Sequence, residues 1–122
     1  KLGIIKYVEL GNLEAERDWG HSKDYVEAMW LMLQSEKPDD YVVGTGTTYS
    51  VRDFAKYAFE ILDMDYKKYV KVNKILFRPS EVSVLTSDSS KIKKNLGWNS
   101  KINFFDLVSE MVKFDYDYYN KK

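Results

Sequence analysis

The chain contains no cysteine, which excludes disulfides and thiolate zinc sites. That absence fits a reducing compartment, and a cytoplasmic location is the expectation. A single histidine, His21, excludes a multi-histidine metal site within one chain. No apolar run approaches the roughly 20 residues of a membrane helix, so no membrane partner is expected. Net charge is also missing: 19 basic and 19 acidic residues cancel. A nonspecific nucleic-acid binder needs a basic excess, so that class is set aside. No signal peptide, internal repeat or low-complexity linker is visible. The start, Lys1-Leu2-Gly3-Ile4-Ile5, lacks Met and reads as a boundary inside a longer protein.

What remains is a globular composition. The 122 residues suffice for one domain with a modest core, and 44% of them are hydrophobic. Aromatics reach 16%, including ten Tyr and three Trp, which suits a small packed core or a surface that docks against something.

Local pattern gives a small α+β domain. Residues Gly3 to Leu10 are expected to be extended, with Gly11-Asn12 breaking the run. A helix is predicted over Ser22 to Ser35, capped by Ser22, with Val26, Met29, Trp30 and Leu33 as its inward face. Tyr41-Val42-Val43-Gly44 reads as a buried strand. Ser50-Val51-Arg52-Asp53 resembles a capping box and opens a second helix with Phe54, Ala55 and Ala58 on its apolar stripe. Tyr69 to Val72 could form another short strand. A third helix is predicted over Ser89 to Leu96, stopped by Gly97, and a fourth over Phe104 to Tyr119, capped by Asn103. Leu107, Val108, Met111 and Val112 form the buried face of that last helix.

Several motifs could carry chemistry. Gly44-Thr45-Gly46 holds the first two glycines of a dinucleotide fingerprint, but Tyr49 stands where the third belongs, so a tight strand-to-helix turn is the simpler reading. Tyr118 and Lys122 have the Tyr-x-x-x-Lys spacing of a dehydrogenase pair, at a chain end where coincidence explains it. His21 and Asp24 open the first helix without a nucleophile beside them, and read as a bracing cluster. Arg17, in Arg17-Asp18-Trp19, and Arg78, in Arg78-Pro79-Ser80-Glu81, are the candidate anion ligands, because a guanidinium fork matches phosphate oxygens in pairs. Pro79 keeps Arg78 out of helical geometry, and Ile75-Leu76-Phe77 is expected to anchor its backbone by packing. Glu81 could accept hydrogen bonds from a ribose diol. Taken alone, each of these also fits an ordinary surface ion pair.

Read in order, the spans resemble one family. Leu10-Gly11-Asn12-Leu13 with Arg17-Asp18-Trp19-Gly20-His21 and Lys23-Asp24-Tyr25-Val26-Glu27-Ala28-Met29-Trp30 is similar to GDP-mannose 4,6-dehydratases. So are Gly44-Thr45-Gly46 with Tyr49-Ser50-Val51-Arg52, then Phe77-Arg78-Pro79 with Glu81-Val82, then Ser90-Lys91 with Lys93, Leu96, Gly97 and Trp98. The resemblance covers nearly the whole chain. It implies the C-terminal substrate-binding domain of an extended short-chain dehydrogenase/reductase, spanning residues 1 to 122, with residues 1 to 10 leading in from a Rossmann half that this chain lacks. Family members convert GDP-mannose to GDP-4-keto-6-deoxymannose with NADP, commonly toward GDP-fucose or GDP-rhamnose. The resemblance places NADP and the catalytic residues in the Rossmann part, so this chain alone is expected to be inactive and to hold no catalytic residue. It implies that Arg17 and Arg78 meet the diphosphate, Glu81 the ribose, and Asn12 the pocket lining, and that the full-length protein is a homo-oligomer. Val72-Asn73-Lys74-Ile75-Leu76 departs from the family's Val-Asp-Pro-Arg-Tyr, and the stretch between the second helix and Tyr69 is short. Alternatives are the substrate domain of another sugar-nucleotide epimerase, dehydratase or reductase, and a non-catalytic binding module of the same fold.

Overall fold

A computed structural model describes residues 1 to 121. In chain order the elements are β1 (Val8–Leu10), β2 (Glu16–Asp18), α1 (Ser22–Gln34), β3 (Thr48–Ser50), α2 (Val51–Glu60), α3 (Tyr66–Tyr69), β4 (Val70–Val72), a 3-10 turn (Lys74–Leu76), β5 (Val84–Leu85), α4 (Ser90–Leu96) and α5 (Phe104–Asn120). The expected α+β class is therefore observed. The strands make two small sheets: β1 with β4, parallel, and β3-β2-β5 with β2 central. β2 pairs antiparallel with β3, Arg17 opposite Tyr49, and parallel with β5, Arg17 opposite Leu85.

The helix boundaries follow from their caps. Ser50 accepts from the Asp53 amide while the Asp53 carboxylate accepts from the Ser50 amide, so the predicted capping box is complete. Asn103 accepts from the Asp106 amide at the start of α5. Gly97 ends α4 at φ 69°, a conformation that costs a residue with a Cβ more than glycine. The cap of α1 is His21 rather than Ser22: its Nδ1 accepts from the Lys23 amide at 3.0 Å.

Packing departs from expectation at four places. The strand predicted over residues 3 to 10 is confined to Val8–Leu10, the only part that finds a partner, in β4. Val26, Met29, Trp30 and Leu33 on α1 are exposed, and the helix instead buries Ala28 with Tyr25, Leu31 and Met32 packed around the core of Ala28, Ile92 and Trp98. Tyr41 and Val43 join that core, yet residues 41 to 43 form no strand, because nothing among the described residues pairs with their backbone. On α5, Leu107 and Val108 are buried as predicted, whereas Met111 is exposed. A second core is aromatic: Phe104 stacks on Tyr49 at 4.0 Å between ring centroids, and Trp19 packs on Phe54 at 4.9 Å.

Candidate functional site

Arg17 occupies the middle of the central strand, so its backbone is held on both sides. Its guanidinium is equally constrained. Nη1 donates to the carbonyls of Glu16 at 2.7 Å and Val82 at 3.0 Å, and Nη2 donates to Glu81 Oε1 at 3.0 Å. Both side chains of this ion pair are largely shielded, at 24% and 19% exposure. Partial burial makes such a pair stronger than one on an open surface. The structure thus brings together two residues 64 positions apart in the chain, and joins an anion-binding fork to a hydrogen-bond acceptor.

Arg78 lies three residues before Glu81 in the segment that enters β5. It is exposed and makes no hydrogen bond or ion pair within the described residues. Its anchor is not the expected packing: Ile75, Leu76 and Phe77 are all exposed. The polar side chain of Asn73 holds the segment instead. Asn73 Oδ1 accepts from the Ile75 amide at 3.0 Å, its Nδ2 donates to Glu9 Oε2 at 2.8 Å, and its backbone amide donates to the Leu10 carbonyl at 2.8 Å. Gly11 then approaches so closely that a Cβ there would lie 2.8 Å from the Leu76 carbonyl oxygen. This fixes the loop carrying Asn12 beside the segment carrying Arg78. The Asn12 side chain itself is committed to the loop, accepting from the Glu14 amide at 2.9 Å. Among the described residues no hydrogen bond joins the Asn12 side chain to Arg17, Arg78 or Glu81.

Next to Arg17, Asp18 points into the Gly44-to-Thr47 turn. Its Oδ1 accepts from the amide of Thr45 at 2.9 Å and from the Thr45 hydroxyl. Its Oδ2 accepts from the Gly46 amide at 2.8 Å, the Ser87 amide at 3.3 Å and the Ser87 hydroxyl. Burial pushes the Asp18 carboxyl up, but the bonds from Ser87, Thr45 and Gly46 outweigh it and hold the group below the ordinary carboxylate range. Gly44 is required by close approach: a Cβ there would lie 2.2 Å from Ser87 Oγ. Asp18 was not among the residues that the sequence singled out. Its reach to the turn depends on β2 lying beside β3, which no local pattern in the sequence encodes.

The same contacts decide whether this turn could hold a dinucleotide. The amides of Thr45 and Gly46, which would have to face a phosphate, are already taken by Asp18, and an anion there would meet that carboxylate. The residues of this chain do not fit a nicotinamide dinucleotide at that turn. Of the Tyr118–Lys122 pair, Lys122 lies outside the described residues. His21 and Asp24 form a brace: His21 Nε2 lies 3.3 Å from Glu110 Oε2, and Asp24 Oδ2 accepts from the amides of Lys101 and Ile102, each at 2.9 Å. Among the described residues no cluster of acidic and histidine side chains could hold a metal ion, and no helix is long and apolar enough to cross a membrane.

Two cavities lie away from Arg17. One, of about 490 Å3, separates residues 1 to 8 from α2 and α5 and is walled mainly by apolar groups such as Ile4, Phe59 and Leu62. The other, of about 170 Å3, lies between Trp19, Thr47 and the residues preceding α5. Neither is lined by Arg17, Arg78 or Glu81.

Comparison with known proteins gives a consistent result. The family model described as GDP-mannose 4,6 dehydratase matches residues 1–111. GDP-mannose 4,6 dehydratase 2 of Arabidopsis thaliana is 50% identical over 115 residues, covering 94% of this chain and 31% of the relative. GDP-mannose 4,6 dehydratase of Drosophila melanogaster is 43% identical over 134 residues, covering 96% and 34%. That alignment is longer than the 122-residue chain, so the relative carries residues within this region that the chain lacks. Among solved structures, UDP-glucose 4-epimerase from Bifidobacterium longum, in complex with NAD+ and UDP, superposes with a TM-score of 0.81 at 20% identity, covering 99% of this chain and 38% of that one. dTDP-glucose 4,6-dehydratase from Bacillus anthracis, in complex with NAD, gives 0.80 at 19% identity, covering 95% and 36%. These likenesses establish the fold, that of the extended short-chain dehydrogenase/reductase enzymes. The chain spans about a third of the length of the curated relatives it matches. Through a match that runs over all but its last eleven residues, the chain belongs to the GDP-mannose 4,6 dehydratase family.

Proposed function

We propose that this chain is the nucleotide-gripping part of a GDP-mannose 4,6-dehydratase. The observation that carries this reading is the shielded Arg17–Glu81 pair, with the exposed Arg78 on the same segment. In this reading Glu81 occupies the Arg17 fork when no nucleotide is present. A diphosphate, with about two negative charges, takes its place on the fork, because two phosphates can engage Arg17 and Arg78 together. Glu81 then turns to the ribose hydroxyls and keeps its role as acceptor. Arg17 needs little reorganisation, since the Glu16 and Val82 carbonyls hold Nη1 in either state.

Binding energy collected on the nucleotide, away from the reacting sugar carbons, would hold the sugar for chemistry carried out elsewhere in the protein. The family's cofactor is NADP. Since the turn at Gly44 does not fit a dinucleotide, that cofactor belongs with the part of the family protein that this chain does not match. Solved structures of the same fold carry NADPH, as in RMD from Pseudomonas aeruginosa, or NAD, as in the epimerase, so the fold does not choose between them. On its own the chain is expected to bind GDP and to turn over no GDP-mannose.

The test is a titration of the labelled chain with GDP, UDP and dTDP, followed by heteronuclear NMR. GDP should shift amides around Arg17 and residues 78 to 85. Arg17→Ala and Arg78→Ala should each weaken binding, by about 10- to 100-fold for a lost charge-assisted bond to phosphate. A preference for UDP or dTDP would move the assignment to another sugar-nucleotide enzyme. Silence with all three nucleotides in a folded chain would sink the reading.

A further inference from the structure

β5 is the shortest strand among the described residues. It has two residues, Val84 and Leu85, which are 49% and 50% exposed, so no core packing holds it. It lies at the edge of its sheet, with β2 as its neighbour. Yet the segment that runs into it carries Arg78 and Glu81, and Glu81 has to meet Arg17. The placement of that segment therefore depends on polar contacts to β2.

Those contacts fall at its two ends. At the start, the Glu16 amide donates to the Ser83 carbonyl at 2.8 Å, and Arg17 Nη1 donates to the Val82 carbonyl at 3.0 Å. At the end, Asp18 Oδ2 accepts from both the amide and the hydroxyl of Ser87. Successive side chains of a strand project to opposite faces, so Arg17 and Asp18 grip the segment from two sides. A carboxylate that takes two donors from one residue is a stronger tether than a neutral bond. The other oxygen of Asp18, Oδ1, is bonded to Thr45 alone, in the Gly44-to-Thr47 turn.

We propose that Asp18 is a positioning residue for the nucleotide: through Ser87 it keeps β5 in register with β2 while Glu81 leaves the Arg17 fork. This rests on the nucleotide-gripping reading and deepens it. In the resting chain the Arg17–Glu81 ion pair also ties the segment to β2. A diphosphate on the fork removes that tie, and Arg17 then holds the segment only through the neutral Val82 carbonyl. Asp18 makes no bond to the fork, so its grip on Ser87 is the same with Glu81 in either position. Without that grip, release of Glu81 loosens β5 together with Arg78, and the entropy of ordering them again subtracts from GDP affinity.

A purely structural role, in which Asp18 only braces the turn, makes a different prediction. Ser87→Ala removes the hydroxyl on the β5 side of the carboxylate, and Thr45→Val removes the one on the turn side. The test titrates the native chain and both variants with GDP, alongside thermal melts. The two variants should lose similar amounts of Tm. Ser87→Ala should weaken GDP binding about 5- to 10-fold, and Thr45→Val less than about twofold. Equal effects on affinity, or none in either variant, overturn the positioning role and leave nucleotide binding standing. A native chain that binds no GDP removes the nucleotide reading and this proposal with it. A second measurement needs no nucleotide. Glu81→Gln keeps the size of the side chain but removes the charge that ties it to Arg17. Amide exchange over residues 83 to 86 should stay within about threefold of native in Glu81→Gln, and rise about tenfold or more beyond the product of the single effects when Ser87→Ala is added. Single effects that simply multiply would show that the two tethers do not substitute for each other, which overturns the proposal.

Discussion

Asp18 offers its two oxygens to three backbone amides and two hydroxyls, every one of them a donor. Asp18→Asn keeps the shape but turns an NH2 group toward donors, leaving at least one buried polar group unpaired. The expected cost is about 1–3 kcal/mol, read as a fall in urea midpoint at constant slope. The same carboxylate sets an acid limit. Its folded-state pKa is held below the ordinary value of 3.8, so its contribution is complete above that value and is lost as pH falls through the lower folded one. The difference in Tm between the native chain and Asp18→Asn should therefore hold steady near neutrality and shrink below about pH 4. Gly44→Ala is expected to destabilise by about 1–3 kcal/mol, since the added Cβ strikes Ser87 Oγ and, at 2.9 Å, Asp18 Oδ2. A thermal melt in which Gly44→Ala matches the native chain would show that the turn yields where the contacts say it cannot.

Among the elements, the segment from β4 to β5 carries the site and has the least apolar support. Ile75, Leu76 and Phe77 face solvent, so Asn73 fixes where Arg78 begins. Asn73→Ala should lower GDP affinity about 3- to 10-fold while shifting Tm little, because the loss is of ordering near the ligand and not of core. Equal losses in affinity and Tm would assign Asn73 a general structural role. The capping residues of α2 and α5 and the glycine ending α4 were legible in the sequence because each works through neighbours within a few positions. Arg17 and Glu81 were legible as candidates, but their direct pairing depends on β2 lying beside β5, which no local pattern encodes. The inward face of α1 was misread for a related reason. Val26, Met29, Trp30 and Leu33 have the spacing of a buried stripe, and a helix that also carries Tyr25, Ala28, Leu31 and Met32 gives two such stripes to choose between. Tyr41 to Val43 reads as a strand from its residue types, and the described chain supplies no partner strand to make it one.

At the scale of the whole molecule, two small sheets and two cores hold the Arg17–Glu81 pair at a surface that neither cavity encloses. The domain divides its tasks: the aromatic core of Trp19, Phe54 and Phe104 supports the sheet carrying Arg17, while the cluster of Ala28, Ile92 and Trp98 backs the outward stripe of α1. A charge introduced at the stripe should therefore leave GDP binding close to native, which a titration of Trp30→Glu would check. The resting contact between Arg17 and Glu81 has one more implication. A cation already neutralised from within gives little purchase to free phosphate, chloride or a stray carboxylate, each of which must displace a tethered rival and offers nothing to the carboxylate it evicts. Only a molecule that brings both negative oxygens for the fork and hydroxyls for the released acid satisfies both partners at once. The site would thus screen the small anions of its surroundings by competition, before any recognition of the base or the sugar begins.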